Sequence, residues 1–423
     1  MRLPSTFLIV FHRKPSFAVL TPFWDRVRAV ATAVGVTVMT ALAAGTVYAQ
    51  VQTPSAVRRS EMLPPLPITS FYDTPDPFPA GKPGTLIRSQ PFEQYQIPFS
   101  VSAVRILYHS RSANGEDVAV SGVVLFPYDK KPPAAGWPVM AWAHGSAGVA
   151  RSCAPSLMRN IGHGPFLSMY VNLGYAVVAT DYTGLGTDFR NAFLDGPSNA
   201  TDVITSISAA RAAVPELGAR WIVMGEAEGS LAAVAVAEME NEIRDPSYLG
   251  SIAISGVPSA EEIYEHFTLG SSSLMLTSLA YGIKTVYPQF QETDLLTEKG
   301  LALYHHIEQM CSQARSLPEL PPAEVTKPSW EKNVFVRQYF VRNNLGQTRA
   351  YGPILVISGD ADRAIPPTMT AQAIARMCKQ GDRIQWERYH DLDPERVIGD
   401  SVRDQIGWIE ARFASRAPTT NCP

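Results

Sequence analysis

A glycine-framed stretch of the 423-residue chain has the spacing of a nucleophile turn but lacks the nucleophile. Residues 225–229 read Gly-Glu-Ala-Glu-Gly, directly after the apolar run 221–224 and before a helical stretch. A Gly-x-Ser-x-Gly turn between a strand and a helix exposes a serine for attack on an ester carbonyl, and its glycines are needed because the turn leaves no room for a Cβ. Ala227 holds the place of that serine. The frame therefore indicates acyl-transfer chemistry without an atom to perform it.

A carboxylate that could belong to the same chemistry follows another apolar run. Residues 354–358 lead into a turn with the sequence GDADRAIPP, in which the second aspartate is Asp362. The acid of a Ser-His-Asp triad follows the serine along the chain in folds that use the nucleophile turn, and it stands at the end of a strand. We predict that Asp362 occupies the acid position. The alternative is an ordinary solvated aspartate in a turn.

The elements that must position these residues alternate along the chain. Continuous apolar runs bounded by Gly, Pro and Asp predict strands that are covered on both faces, and helical stretches separate several of them. The predicted strands are 104–108, 118–126, 138–143, 175–180, 221–224, 252–254 and 354–357, and the predicted helices are 200–213, 229–240, 367–378 and 401–413. Asn114-Gly115 signals a hairpin between the first two strands. This alternation predicts an α/β fold with a mostly parallel sheet and helices on both faces.

The N-terminal residues predict export. A basic flank (Arg26 and Arg28) precedes the apolar run 29–44, and a small-residue ending follows at Ala49. This is the pattern of a secretory signal over residues 1–49, cleaved near Ala49. The alternative is a membrane anchor, but the run is short for a bilayer span, which takes about 20 residues. We therefore expect a secreted or periplasmic product with no stable transmembrane anchor.

Composition divides the remaining chain into three parts. Residues 50–99 are rich in proline and predict an extended arm over the surface. Residues 100–256 and 346–423 form the predicted α/β core. Residues 257–345 break the alternation of strands and helices, and we predict a helical cap or lid at the carboxyl ends of the strands, where open α/β sheets bind ligands.

Charge and cysteine content exclude some classes of function. The net charge of the chain is −3, without the excess of Lys and Arg that nucleic-acid-binding proteins carry, so a nucleic-acid partner is not expected. The hydrophobic content of 46% predicts a sizeable core. Four cysteines, an even number in an oxidising compartment, predict two disulfides with three possible pairings. None has the spacing of a metal site, so we expect neither metal nor cofactor. The four are Cys153, Cys311, Cys378 and Cys422.

Four stretches in order make the chain similar to the secretory lipase family of α/β-hydrolases. They are AHGSAG (143–148), CAPS (153–156), GYAVVATDYTGLGT (174–187) and the 225–229 frame. The resemblance extends from about residue 60 to the end. It implies an α/β-hydrolase fold, a triacylglycerol lipase or carboxylesterase activity, and lipids or apolar esters as ligands. It also implies an oxyanion hole formed by the backbone N–H of Glu228 and one N–H from the Gly145-Ser146 loop.

The chain departs from this family at the general base. The family's tail usually reads Tyr-x-x-x-Asp-His, whereas residues 389–394 read Tyr-His-Asp-Leu-Asp-Pro, so Pro394 stands at the base position. Loss of a triad nucleophile alone costs on the order of 10⁶ in kcat, and further triad losses add little. Ser230 and His390 are the possible substitutes. We expect Ser230 to lie one helical turn beyond Ala227, the tip of the predicted turn, and we expect His390 to be a surface histidine.

Three hypotheses follow from these residues. The first is a secreted pseudo-lipase that binds apolar esters or lipids without turnover. The second is an active lipase or esterase in lipid catabolism, with a nonstandard nucleophile or base. The third is an extracellular structural or interaction protein. The missing nucleophile and base favour the first hypothesis.

Overall fold

The computed structural model describes residues 65–258, 262–263, 266, 272–311 and 320–422. The predicted signal at residues 1–49 and the first part of the predicted arm lie outside the described residues. From residue 65 to 85 the chain has one short 3₁₀ turn, Ser70–Tyr72, and little other regular structure. The end of the arm differs from the expectation, because Leu86–Pro91 joins the sheet as its first strand. No proline interrupts residues 84–90, so their N–H groups are free to pair.

Nine strands within the described residues form one sheet. They are β1 Leu86–Pro91, β2 Val101–Arg111, β3 Asp117–Pro127, β4 Trp137–Ala143, β5 Ala176–Thr180, β6 Leu217–Glu226, β7 Tyr248–Ile254, β8 Pro353–Gly359 and β9 Arg383–Tyr389. Their order is β1-β2-β3-β5-β4-β6-β7-β8-β9. The pairs β1–β2, β2–β3 and β3–β5 are antiparallel and the other five are parallel. The predicted mostly parallel sheet and the hairpin at Asn114-Gly115 are confirmed.

Within the described residues, helices lie between the strands from β4 onward and after β9, as the alternation predicted. They are α1 Gly164–Asn172, α2 Gly196–Ala213, α3 Glu228–Ile243, α4 Ser273–Val286, α5 Glu298–Ile307, α6 Pro322–Val325, α7 Val334–Arg342, α8 Pro367–Lys379, α9 Pro394–Asp400 and α10 Val402–Phe413. Further 3₁₀ turns are Arg151–Cys153, Pro155–Leu157, Glu292–Asp294 and Trp330–Lys332.

Both faces of the sheet are covered, and β4 illustrates why its sequence is continuously apolar. Val139 and Ala141 belong to the apolar cluster that contains the buried faces of α2 and α3. Met140 and Trp142 belong to a second cluster, with α1, α9 and α10. Alternate residues of a strand point to opposite faces, so a strand with helices on both sides buries every side chain.

Helices α4–α7 lie between β7 and β8, where the sequence predicted a helical insertion. Helix α4 contacts the segment that follows β5, since Gly282 packs against the carbonyl of Phe193. The hydroxyl of Tyr339 in α7 donates a hydrogen bond to the same carbonyl. Helices α4 and α7 therefore pack against the segment that leaves the carboxyl end of β5.

Two disulfides join the four cysteines. Cys153 pairs with Cys311, with their Cα atoms 5.2 Å apart, and Cys378 pairs with Cys422 at 5.7 Å. This confirms the predicted number of disulfides and selects one of the three pairings. In the part of the chain that the structure describes, every helix is too short or too polar to cross a bilayer.

Candidate active site

The glycine-framed stretch forms a sharp turn between β6 and α3. Ala227 is the single residue between them, with φ 51° and ψ −113°. A residue with a side chain held at positive φ costs about 1–3 kcal/mol and persists only where its surroundings enforce it. The N–H of Ala227 donates to the carbonyl of Ile254 at 3.1 Å, and its own carbonyl accepts from Ser230 N–H at 2.9 Å. The turn is therefore fixed from both sides in the strained conformation that a nucleophile turn requires.

The two glycines of the frame are required by close backbone contacts. A Cβ on Gly225 would collide with the carbonyl of Gly229, and a Cβ on Gly229 would collide with the carbonyl of Ala143. Ala143 is the last residue of β4. The order of strands reverses at β4, because β5 and β6 lie on its two sides. Such a switch point is where α/β sheets bind their ligands, and here the loop after β4 lies beside the turn.

Glu228 binds the turn to its surroundings. Its carboxylate accepts hydrogen bonds from Ser146 Oγ at 2.7 Å, from Leu194 N–H at 2.9 Å and from Asn199 Nδ2 at 3.0 Å. The side chain is buried. Glu228 thus connects the start of α3 to the loop after β4 and to the start of α2, a role that no sequence motif indicates.

The loop after β4 is braced by His144. Its ring stacks on Tyr182 with the centroids 4.2 Å apart, and its Nε2 lies 3.2 Å from the carbonyl of Asp181. The Tyr182 hydroxyl donates to the His144 carbonyl at 3.1 Å. Gly145 and Ser146 follow directly, so the segment predicted to supply an oxyanion donor is held next to the turn.

A histidine–carboxylate pair that sequence reasoning missed lies beneath this loop. His163 Nε2 is 3.4 Å from Glu226 Oε2, and the carboxylate of Glu226 fills the space where a Cβ on Gly145 would stand. The His163 ring packs edge-on against Trp142 at 5.4 Å. No motif joins His163 to Glu226, because they are 63 positions apart and only the packing of α1 on the sheet brings them together.

Asp362 is buried at the end of β8. Its Oδ1 accepts hydrogen bonds from the N–H groups of Ala364 and Ile365 at 2.9 and 2.8 Å, and its Oδ2 is buried without a hydrogen-bond partner among the described residues. Burial raises the pKa of Asp362 to about 6, against the two backbone hydrogen bonds and the nearby His266, which lower it. The alternative of a solvated turn aspartate is therefore wrong for Asp362.

His266 of the inserted segment was not predicted to be near this carboxylate. Its Nε2 lies 2.6 Å from the carbonyl of Arg363, the residue after Asp362. The contact joins residues that are 97 positions apart, with no shared motif. His266 thus lies at the loop that contains Asp362 (the acid loop), although it does not stand at Pro394, the position predicted for the base.

Pro394 is the first residue of α9, where its missing N–H costs no helical hydrogen bond. The side chain of Asp393 caps the helix by accepting from Arg396 N–H at 2.8 Å. The Pro394 carbonyl accepts from Ser255 Oγ at 3.1 Å. The position is thus held by backbone and capping contacts, and the proline ring has no group that can transfer a proton.

Short contacts connect the three positions predicted as nucleophile, acid and base. Ile254 accepts the N–H of Ala227, and the next residue, Ser255, holds Pro394. The Ala361 N–H, next to Asp362, donates to the carbonyl of Leu392 at 3.0 Å. The structure therefore brings the loops of Ala227, Asp362 and Pro394 together at the carboxyl ends of β6, β8 and β9.

The two possible substitutes are unsuited to catalysis at this turn. Ser230 is fully buried in α3, and its Oγ lies 2.6 Å from the carbonyl of Ala227 and 2.7 Å from that of Gly256. His390 is 85% exposed and faces the carboxylates of Asp360 and Asp391 at 3.6 and 3.3 Å. Neither residue presents its reactive atom at the tip of the turn.

A small, mostly apolar cavity of about 120 Å³ lies next to Ser146. Its walls come from the loop after β4, the segment before α2, helix α4 and the end of α5 with the residues that follow it. The main lining residues are Ser146, Val149, Phe193, Leu274, Met275, Ser278, Ile307, Met310 and Cys311. The cavity thus lies between the core and the inserted helices, beside the loop expected to supply an oxyanion donor.

Comparison with known proteins gives a family match and structural neighbours. The secretory lipase family model matches residues 164–421. Candida antarctica lipase A in its closed state is 16% identical, with a TM-score of 0.72 over 85% of this chain and 89% of that one. The rice cell wall degrading esterase LipA from Xanthomonas oryzae is 18% identical, with a TM-score of 0.66 over 79% of this chain and 98% of that one. A putative hydrolase from Legionella pneumophila is 18% identical, with a TM-score of 0.67 over 78% and 99%. No curated protein sequence matches. At these identities the structural likeness shows the fold alone.

Proposed function

Because this chain belongs to the secretory lipase family of α/β-hydrolases, we propose that it is an exported lipase-like protein that binds lipids or apolar esters and has lost their turnover. One observation carries the proposal. Ala227 keeps the strained backbone of a nucleophile turn, with φ 51° and ψ −113°, and ends in a methyl group. A methyl group cannot attack a carbonyl, so the covalent step of a serine esterase has no attacking atom.

The base position supports the same proposal. In a triad the acid accepts a hydrogen bond from the imidazole that it orients. The buried Oδ2 of Asp362 has no hydrogen bond among the described residues, and Pro394 offers none. The acid is therefore retained while the group it would orient is replaced.

The cavity beside Ser146 supports ligand binding. Leucine, methionine, isoleucine and phenylalanine side chains dominate its walls, and these suit an acyl chain rather than a polar ligand. Its volume of about 120 Å³ is below the roughly 300–1,000 Å³ of typical ligand sites. We therefore propose that the half-buried first turn of α4, with Leu274 and Met275, shifts outward when an acyl chain binds.

Two measurements on the purified protein test this proposal. The rate of nitrophenyl ester hydrolysis should not exceed the uncatalysed rate by more than about 10³–10⁴-fold. This is the enhancement that an oxyanion hole and substrate binding still provide when the triad is absent. A fluorescent long-chain fatty acid should bind, and Ser278→Phe, which fills the cavity from α4, should weaken binding by about tenfold. Thr285→Phe on the same helix, away from the cavity, is the control. Turnover far above that rate, or no binding, would contradict the proposal.

The contact of His266 with the acid loop favours a second candidate, a hydrolase that uses water directly. Because Nε2 donates to the Arg363 carbonyl, the Nδ1 of His266 would remove a proton from water while the water oxygen attacks the ester carbonyl carbon. The same proton would then pass to the departing alkoxide as the tetrahedral intermediate collapses, which yields acid and alcohol. Turnover by the unmodified protein that His266→Gln abolishes and His163→Gln preserves would favour this candidate. Absence of turnover excludes it.

A further inference from the structure

Six arginines line a concavity at the end of the sheet opposite the turn. Its volume is about 670 Å³. The arginines come from the amino-terminal parts of β6 and β9, from the segment before β8, and from the carboxyl ends of α3 and α10. The six are Arg220, Arg244, Arg349, Arg383, Arg412 and Arg416. Asp382 is the one acidic residue of the described lining, and it is buried.

Within the described residues no carboxylate forms a close ion pair with the six arginines, and Asp382 beside Arg349 offsets only part of their charge. The ion pairs found among the described residues involve other arginines, such as Arg111, Arg342 and Arg376. No carboxylate oxygen within the described part of the chain lies within 4.0 Å of the guanidinium groups of the six. Six like charges around one concavity repel each other, and this repulsion is relieved when an anion binds.

Several of the six are held by the protein in fixed positions. Arg220 donates to the carbonyl of Arg412 and to Ser415 Oγ, both at 3.1 Å. Arg244 donates to Asn241 Oδ1 at 3.1 Å, and its guanidinium lies 5.3 Å from the ring centre of Tyr351. Side chains that are already ordered lose little entropy when they bind a ligand, so the group is preorganised.

Arg412 is a buried cation in the lining of the concavity. It is 6% exposed, and its Nε is buried without a hydrogen-bond partner among the described residues. Burial lowers its pKa, and the neighbouring charges of Arg383 and Arg416 lower it further. Its Nη2 donates to the carbonyl of Arg416, at 3.0 Å. A buried cation beside two further arginines is costly, and an anion bound in the concavity would lower that cost through its charge.

We propose that this concavity binds a ligand that carries phosphate groups. The planar guanidinium donates two parallel hydrogen bonds to phosphate oxygens, and several arginines together recognise more than one phosphate. The volume lies within the range of small-molecule sites, so a phosphorylated headgroup or a free phosphate compound fits. Arg220 and Ala227 lie near opposite ends of β6, about 20 Å apart at the rise of a strand, so this site is separate from the turn.

Binding of inorganic pyrophosphate by calorimetry, and sedimentation with vesicles of phosphatidylcholine alone or mixed with phosphatidylglycerol, test the proposal. The variant is Arg383→Gln/Arg416→Gln, since both side chains are exposed. The control is Arg337→Gln/Arg403→Gln, which makes the same change in net charge at exposed positions elsewhere. We expect the variant to weaken pyrophosphate binding by about tenfold or more and the control to change it less than about twofold.

The vesicles distinguish the source of the phosphate. Binding to vesicles that contain phosphatidylglycerol, lost in the variant and kept in the control, assigns the site to a lipid headgroup. Pyrophosphate binding without vesicle binding assigns it to a soluble phosphate compound. Binding to neither probe overturns the proposal, and so does an equal loss in variant and control, which would reflect net charge alone.

Discussion

Placing a serine and a histidine at the positions that we propose for the nucleophile and the base tests whether the catalytic frame of this chain is intact. The substitutions are Ala227→Ser, Pro394→His and their combination. The introduced serine would adopt the backbone that Ala227 already has, so the strain at φ 51° does not increase. The introduced histidine keeps the carbonyl that Ser255 contacts and takes the first position of α9, where proline is favoured but not required.

The expected magnitude follows from how triads lose activity. Removal of the nucleophile costs on the order of 10⁶ in kcat, which corresponds to about 8 kcal/mol, and a second loss adds little because the members act as a unit. Each single substitution should therefore leave kcat/KM near that of the unmodified protein. The double variant should exceed both by about 10²–10⁴, the contribution of a positioned general base.

The assay is hydrolysis of a short nitrophenyl ester by all four proteins. A triple variant that adds Asp362→Asn should lose most of the gain, because an asparagine does not stabilise the imidazolium that forms on the histidine. A double variant no faster than the unmodified protein would refute the inference that the frame is intact. If Ala227→Ser alone reached the activity of the double variant, Pro394 would not be the base position. In that case Ala227→Ser/His266→Gln would test His266 as the base.

Two further predictions concern the buried carboxylates of the site. Burial raises the pKa of Asp362 from 3.8 to about 6, so its ionisation destabilises the fold as pH rises from about 4 to 6. Asp362→Asn should therefore stabilise the protein at pH 7 by on the order of 2 kcal/mol and have no effect at pH 3, and equal effects in urea unfolding at both pH values would contradict this. Glu228→Ala removes the three hydrogen bonds from Ser146, Leu194 and Asn199 and should cost about 3 kcal/mol, whereas Glu228→Gln keeps one acceptor oxygen and should cost about half of that. Equal losses in the two variants, by the same unfolding assay, would show that the hydrogen bonds are not the cause.

The sheet was predictable where its strands are covered on both faces. The runs around β4 and β6 are continuously apolar because both of their faces pack against helices. The edge strand β9, with the sequence RIQWERY, is only partly covered and mixes polar with apolar residues, so it produced no such run. Strand β1 lies in the proline-rich stretch and is also only partly covered, so it too produced no continuous apolar run.

The site was predictable where chemistry depends on local backbone geometry. The frame around Ala227 is fixed by a turn of five residues, and its glycines are visible in the sequence. The roles of Glu228 and His266 depend on contacts with segments far away along the chain. Such contacts arise from the packing of α2 and of the inserted segment, which a single sequence does not specify.

The disulfide between Cys153 and Cys311 determines which wall of the apolar cavity can move. Cys153 is fully buried in the core, and Cys311 forms both a covalent bond to it and a backbone bridge with Gly148. The Cys311 side of the cavity is therefore anchored to the core at two points. The wall formed by Leu274 and Met275 in the first turn of α4 is half-buried and carries no disulfide within the described residues, whereas Leu276, Leu279 and Ile283 further along α4 are buried in the core. If an acyl chain binds as proposed, we therefore expect the cavity to widen at the first turn of α4 and not at the Cys311 wall.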